Sequence, residues 1–166
     1  MTVQASYNRA AYVLIDRSAI SHNLQRVREI ASNTKVMAVI KADGYGHSME
    51  VAAQALDEAD EFAVTSLDDV SRLRSKGFNK PITMLSATFT VDDLNSMSAL
   101  SVRPVIYDHE QLNCLIKLNK SAKLDLWIKI DTGMGRLGLS IEEAKRVLAQ
   151  LSAHSGVNSI LSLIHI

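Results

Sequence analysis

From residue 35 onward this chain alternates between two hydrophobic periods, and that alternation restricts its fold more than any other feature. Short apolar or β-branched runs occupy 36–40, 62–65, 82–85, 104–107 and 124–130. Between them lie stretches with helical spacing: Val51, Ala52, Ala55 and Leu56; then Leu67, Val70 and Leu73; then Leu112, Leu115 and Ile116. Val147, Leu148 and Leu151 continue the pattern past the last run. Continuous or period-2 runs alternating with period-3.6 runs predict repeated βα units.

Start and stop signals agree. Ser140-x-x-Glu143 is a capping box, in which serine and glutamate each satisfy a backbone N–H left free at a helix start. Ser66-x-x-Asp69, Thr90-x-x-Asp93 and Asp108-x-x-Gln111 are looser relatives of it. Gly77 closes the helix over Leu67–Leu73 as a residue free to adopt positive φ. Upstream, 12–15 reads as a strand, followed by a helix from a Ser18 cap through Ile20, Leu24, Val27 and Ile30.

Consecutive βα units with short loops suit either an open doubly wound α/β sheet or part of a (β/α)8 TIM-type barrel. A complete barrel takes about 250 residues; with 166, this chain would form an incomplete one. Lysine plus arginine equals aspartate plus glutamate at 18 each, so no basic footprint for nucleic acid or an anionic membrane exists. Cys114 is the one cysteine, which excludes an intrachain disulfide or thiolate cluster and reads as a small apolar core residue. The first 17 residues lack the basic-then-apolar pattern of a signal peptide, and no apolar run nears the roughly 20 residues of a membrane span. A cytoplasmic protein is expected.

Two motifs carry the chemistry. Val39-Ile40-Lys41-Ala42-Asp43-Gly44-Tyr45-Gly46-His47 puts a lysine at the end of the first of these strands. An amine must be neutral to attack an aldehyde, and burial beside an apolar strand favours that form. Gly44 and Gly46 let backbone approach a phosphate closely, and the Tyr45 hydroxyl can donate to it. His47 reads as a loop hydrogen-bonder. In Lys129-Ile130-Asp131-Thr132-Gly133-Met134-Gly135-Arg136-Leu137-Gly138, three glycines surround an arginine able to clamp a carboxylate in bidentate fashion. Alone, Lys41 reads as a solvated strand-end lysine and Arg136 as a surface arginine. Their positions after strands one and five change this, because functional residues of parallel α/β folds gather at the C-terminal strand ends.

Together the two motifs resemble those of bacterial alanine racemases: 41–47 looks like the cofactor-lysine motif and 129–138 like the arginine loop. The resemblance runs from about Tyr12 to Ser159 and includes Ser21-His22-Asn23-Leu24. It implies a fold-type III barrel that binds pyridoxal 5'-phosphate, followed by a β domain and working as a homodimer. The implied activity interconverts L-alanine and D-alanine, supplying D-alanine for peptidoglycan. By the same resemblance Lys41 would carry the cofactor covalently and serve as one of two acid/base residues on opposite faces of the substrate. Tyr45 would bind the cofactor phosphate, and Arg136 would orient active-site partners and face the substrate carboxylate. Lys129 matches a lysine carbamylated by carbon dioxide in many members, and its carboxylate would pair with Arg136. Gly44 stands where relatives often carry alanine, and Ser48 where many carry glycine.

The second acid/base group of the family, a tyrosine of the β domain reaching in from the other subunit, falls outside this sequence. So do the phosphate-binding turns of the later strands and the arginine facing the pyridine nitrogen. Leu161-Ser162-Leu163-Ile164-His165-Ile166 stands where the family pattern calls for a strand ending in Ser-His-Phe-Ala. It is similar to the translation of a transposase-derived sequencing adaptor, and His165 is accordingly not matched to the family's histidine. The expected division is 1–160 as a partial barrel and 161–166 as a non-native tail, with the polypeptide inactive by itself. Three rivals stand beside this reading: a serine, lysine or broad-specificity racemase of the same fold; a non-catalytic pyridoxal phosphate carrier; and a βα domain without cofactor. Carriers lack a close match to the loop from Asp131 to Arg136.

Overall fold

Strand order decides between the two architectures. The computed structural model describes residues 12–85, 89–118 and 122–164. In chain order its elements are α1 (Arg17–Ile30), β1 (Met37–Val39), α2 (Lys41–Tyr45), α3 (Met49–Ala55), β2 (Glu61–Val64), α4 (Leu67–Ser75) and β3 (Ile82–Met84). They continue with α5 (Val91–Ala99), β4 (Val102–Ile106), α6 (His109–Ile116), β5 (Leu124–Ile130), α7 (Ile141–Ser152) and β6 (Val157–Ile164). The six strands form one sheet in the order β1-β2-β3-β4-β5-β6, and each pair is parallel. A doubly wound sheet reverses its order at a switch point, whereas a barrel lays each strand beside the last. The sheet is therefore a barrel arc.

Period 2 within each strand sorts the residues onto two faces. Phe62, Val64, Ile82, Met84, Val102, Ile106, Leu124, Leu126 and Ile128 belong to one buried cluster with Ala52, Val70, Leu73, Leu94, Met97, Leu112, Leu115, Val147 and Leu151 of the helices. Each such side chain contributes about 1.5–3 kcal/mol by leaving water, so this helix-facing layer carries most of the cohesion. The Phe62 ring adds an edge-to-face contact with Phe78, centroids 6.0 Å apart.

The opposite face bears a polar ladder that composition does not announce. Glu61 on β2 accepts from the Thr83 hydroxyl on β3 and, at 2.9 Å, from Arg103 Nη1 on β4. Arg103 Nη2 lies 3.7 Å from Asp125 Oδ2 on β5. Asp125 Oδ1 accepts from Asn158 Nδ2 at 2.7 Å and Ser159 Oγ at 2.6 Å on β6, and the Ser159 bond leads the causes that hold its carboxyl below the usual range. Trp127 Nε1 donates to Thr83 Oγ1 at 2.8 Å. This ladder fixes register, because a slip of one residue would turn Arg103 toward the apolar helix layer without its carboxylates.

The helix caps match expectation at four starts. Ser140/Glu143 and Thr90/Asp93 are complete capping boxes; Ser66 accepts from Asp69 N and Asp108 from Gln111 N. Three expectations fail. Residues 12–15 are not a strand: no described strand runs beside them to take their backbone hydrogen bonds, and Tyr12, Val13 and Leu14 are exposed. The first helix is capped by Asp16, whose carboxylate accepts from Ser18 N and Ala19 N. Ser18 lies inside the first turn, because a carboxylate near the helix's positive end outcompetes a hydroxyl one residue too late. β4 also begins two residues before the expected start at Pro104, with Val102 and Arg103 paired to Ile82 and Thr83.

Candidate active site

The first motif folds into an unusual turn. Ile40 N continues the strand ladder by donating to Ala63 O at 2.9 Å, and Lys41 follows directly. The backbone then turns left-handed: φ/ψ is 50/51° at Ala42, 52/46° at Asp43 and 65/34° at Gly44, and φ is 55° at Tyr45 and 86° at Gly46. Hydrogen bonds Gly44 N to Ile40 O at 3.0 Å and Gly46 N to Ala42 O at 3.3 Å close this turn, so α2 is helical in its bonding but opposite in hand. An L-residue costs about 1–2 kcal/mol in that conformation, and Ala42, Asp43 and Tyr45 all adopt it.

The surroundings hold this strained turn. Asp43 Oδ1 accepts from Met49 N at 3.0 Å, which ties the turn to the start of α3. Gly44 is buried so closely that a Cβ there would stand 3.1 Å from Ala52 Cβ. His47 Nδ1 donates to Gly44 O at 2.9 Å, the loop role its sequence suggested. Arg72 of α4 lies 3.5 Å from Asp43 and 2.8 Å from Glu50. The turn sets Tyr45, largely exposed, beside Lys41, whose Nζ is 6.0 Å from the phenol ring centroid. Lys41 is half-buried, and no hydrogen bond or ion pair engages its amine among the described residues.

The second motif begins at Lys129, a residue 9% exposed whose side chain has no hydrogen-bonding or ionic partner among the described residues. Asp131 N donates to Leu139 O and Leu139 N to Lys129 O, both at 2.9 Å, so residues 131–139 form a closed loop. Inside it, Asp131 Oδ1 accepts from Gly133 N and Oδ2 from Gly135 N, each at 2.8 Å. These N–H groups, Gly133 first, hold the Asp131 carboxyl below its usual range. Gly138, at φ 137°, packs against the same residue: a Cβ there would meet Asp131 N at 2.8 Å. Arg136 is exposed, and its guanidinium has no partner among the described residues.

Both loops leave the C-terminal ends of parallel strands, β1 and β5, and so share one end of the sheet. No hydrogen bond or ion pair joins Lys41, Lys129 and Arg136 to one another among the described residues. Nor do those residues hold a group of three His, Cys, Asp or Glu suited to a metal. The donor set fits a phosphate-bearing aldehyde instead: an unengaged primary amine that can bond covalently, a phenol beside it, and glycine backbone at positive φ. Sequence reasoning missed the two carboxylates that shape these loops. For Asp131 the available signal was the Asx-turn pattern Asp131-x-Gly133; Asp43, which reaches Met49 N six residues on, carries no such local signal.

The model of the alanine racemase N-terminal domain family matches residues 15–166. The chain is 39% identical over 156 residues to the biosynthetic alanine racemase of Escherichia coli, covering 94% of this chain and 44% of that protein. Among solved structures, the biosynthetic alanine racemase of Pseudomonas aeruginosa superposes with a TM-score of 0.86 at 31% identity, covering 92% of this chain and 43% of that one. The alanine racemase of Bacillus anthracis with bound L-Ala-P gives 0.84 at 30% identity, covering 98% and 43%. The chain thus spans less than half the length of the relatives it matches.

Proposed function

The chain belongs to the alanine racemase N-terminal domain family, and from that membership we propose that it is the cofactor-carrying barrel portion of an enzyme that interconverts L-alanine and D-alanine. One observation carries the proposal: the Lys41 amine, with no hydrogen bond or ion pair among the described residues, beside the Tyr45 ring on a strained turn at a strand's C-terminal end.

Pyridoxal 5'-phosphate is the group this site fits, and when bound it delocalises the electrons left behind as a proton leaves the amino acid's Cα. Lys41 would hold the group through Nζ and, once its amine is released by exchange for the substrate's amine, would move the Cα proton on one face of the substrate. Tyr45 would hold the group's phosphate through its hydroxyl, and the loop backbone at Gly46 would leave room for it. Arg136 meets the substrate carboxylate, which fixes the amino acid so that its Cα faces Lys41. Racemisation needs a second acid/base group on the opposite face, since one base mostly returns the proton to the face it came from. That group is a tyrosine contributed by a partner subunit of a homodimer. Lys129 is a candidate for carbamylation: it is buried and has no hydrogen-bonding or ionic partner among the described residues, and addition of carbon dioxide with loss of a proton would convert its amine into a carbamate for Arg136 to pair with. No helix among the described residues is long and apolar enough to cross a membrane; we place the enzyme in the cytoplasm, making D-alanine for peptidoglycan.

The test uses the full-length protein with pyridoxal 5'-phosphate. Borohydride treatment followed by peptide mass spectrometry is expected to label Lys41, and a chiral assay to show conversion of L-alanine. Labelling elsewhere, or none in folded protein, would refute the assignment. Faster turnover of L-serine or L-lysine would replace alanine as the substrate.

A further inference from the structure

Asp131 has no part in the roles above, yet it is the most heavily bonded side chain of the Arg136 loop. We propose that Asp131 is a positioning residue for Arg136, its carboxylate setting the loop backbone from which the guanidinium projects. This rests on the reading of Arg136 as the substrate-carboxylate ligand.

Three observations converge on it. First, the two carboxylate oxygens are divided between two N–H groups, Gly133 and Gly135, each at 2.8 Å. Only an ionised carboxylate offers an acceptor on both sides; an asparagine offers one. Second, this part of the loop is open to solvent. Residues 132–136 are exposed, and a Cβ built at Gly133 or Gly135 would meet nothing within 4 Å. With φ of 143° and 70° at these glycines, the backbone is free to adopt other shapes once the Asp131 bonds are lost. Third, Asp131 is itself anchored: its N–H donates to Leu139 O, and Gly138 packs against its backbone and Cβ. Asp131 therefore transmits the position of β5 to Gly135, and Arg136 is the next residue. No ion pair joins Asp131 to Arg136 among the described residues, so the action runs through the backbone. The lowered carboxyl of Asp131 keeps it ionised at neutral pH.

The test compares D131A, D131N, R136A and the double variant D131A/R136A in the full-length protein. Amide hydrogen exchange across 132–136 is expected to quicken in D131A, less in D131N, and to stay slow in R136A. In alanine turnover, D131A is expected to lower kcat/KM by about a hundred-fold, mainly through KM, with D131N in between. The double variant is expected to be no worse than R136A alone, because both changes remove one interaction. Losses that multiply in the double variant would overturn the proposal, as would unaltered exchange in D131A. If the parent protein turned over no alanine, the racemase reading would fall while the exchange data still judged Asp131.

Discussion

The two loops at the C-terminal end of the sheet are built on opposite principles. The Lys41 turn is strained in its backbone and is held by the close packing of buried Gly44 against Ala52, with one polar tie from Met49 N to Asp43. The Arg136 loop stands in solvent and rests on polar bonds from Asp131, its backbone supplied with glycines where φ is positive. On the roles proposed above, an amine that is to carry a cofactor tolerates little error in placement and suits a strained, closely held support. A guanidinium that is to meet an arriving carboxylate can sit on a lighter mount held by hydrogen bonds. The contrast shows that strain and polar bracing are alternative routes to the same preorganisation.

Substitutions can break or sharpen this contrast. The largest effect is expected at the one point where the Arg136 loop does rely on packing: Gly138→Ala drives a Cβ to 2.8 Å from Asp131 N, and a loss of about 3 kcal/mol should appear in the urea midpoint. Next comes the Lys41 turn. Gly44→Val brings a branched side chain against Ala52 at φ 65°; the cost is about 2 kcal/mol, with weaker retention of cofactor by absorbance titration. In the open part of the second loop, Gly135→Ala finds empty space at φ 70°, so denaturation should register only about 1 kcal/mol. An equal cost for Gly44→Val and Gly135→Ala would erase the contrast.

The smallest effect is electrostatic. Glu143, which closes the capping box of α7 just beyond the Arg136 loop, has its carboxyl lowered from 4.5 to about 2, first by the Ser140 hydroxyl, then by Ser140 N and His109. A depressed carboxyl favours the fold when ionised. Its contribution is thus complete above pH 4.5 and lost as pH falls toward 2. Acid titration of Glu143→Gln should show a shallower decline over that window than the parent, and identical curves would remove Glu143 from the account.

How much was readable in advance depended on the range of the forces involved. β5 over 124–130 and the caps at Thr90 and Ser140 follow from local signals, and the structure places them as expected. The barrel arc itself was one of two readings, separated by strand order, a property of the whole sheet. Gly44 and Gly46 mark a turn locally, but Ala42 and Tyr45 disfavour positive φ as residues, so a left-handed run through all five positions is not a local prediction; Asp43 ties it to the start of α3 several residues later. The apolar run at 12–15 carries strand propensity, but no described strand lies beside it to pair with, and propensity alone does not make a strand. Lys41 and Arg136 were legible as candidates by residue type and position. Asp131 was not singled out, because its work is done through two backbone N–H groups rather than through reactive chemistry.

The polar ladder inside the sheet also provides an optical gauge. The chain has a single tryptophan, and its indole N–H is engaged by Thr83 two strands away. Trp127 also stands opposite Val105 on β4 and Leu161 on β6. Its intrinsic fluorescence therefore reports on the assembly of four strands at once, and refolding of the arc can be timed without attaching a dye.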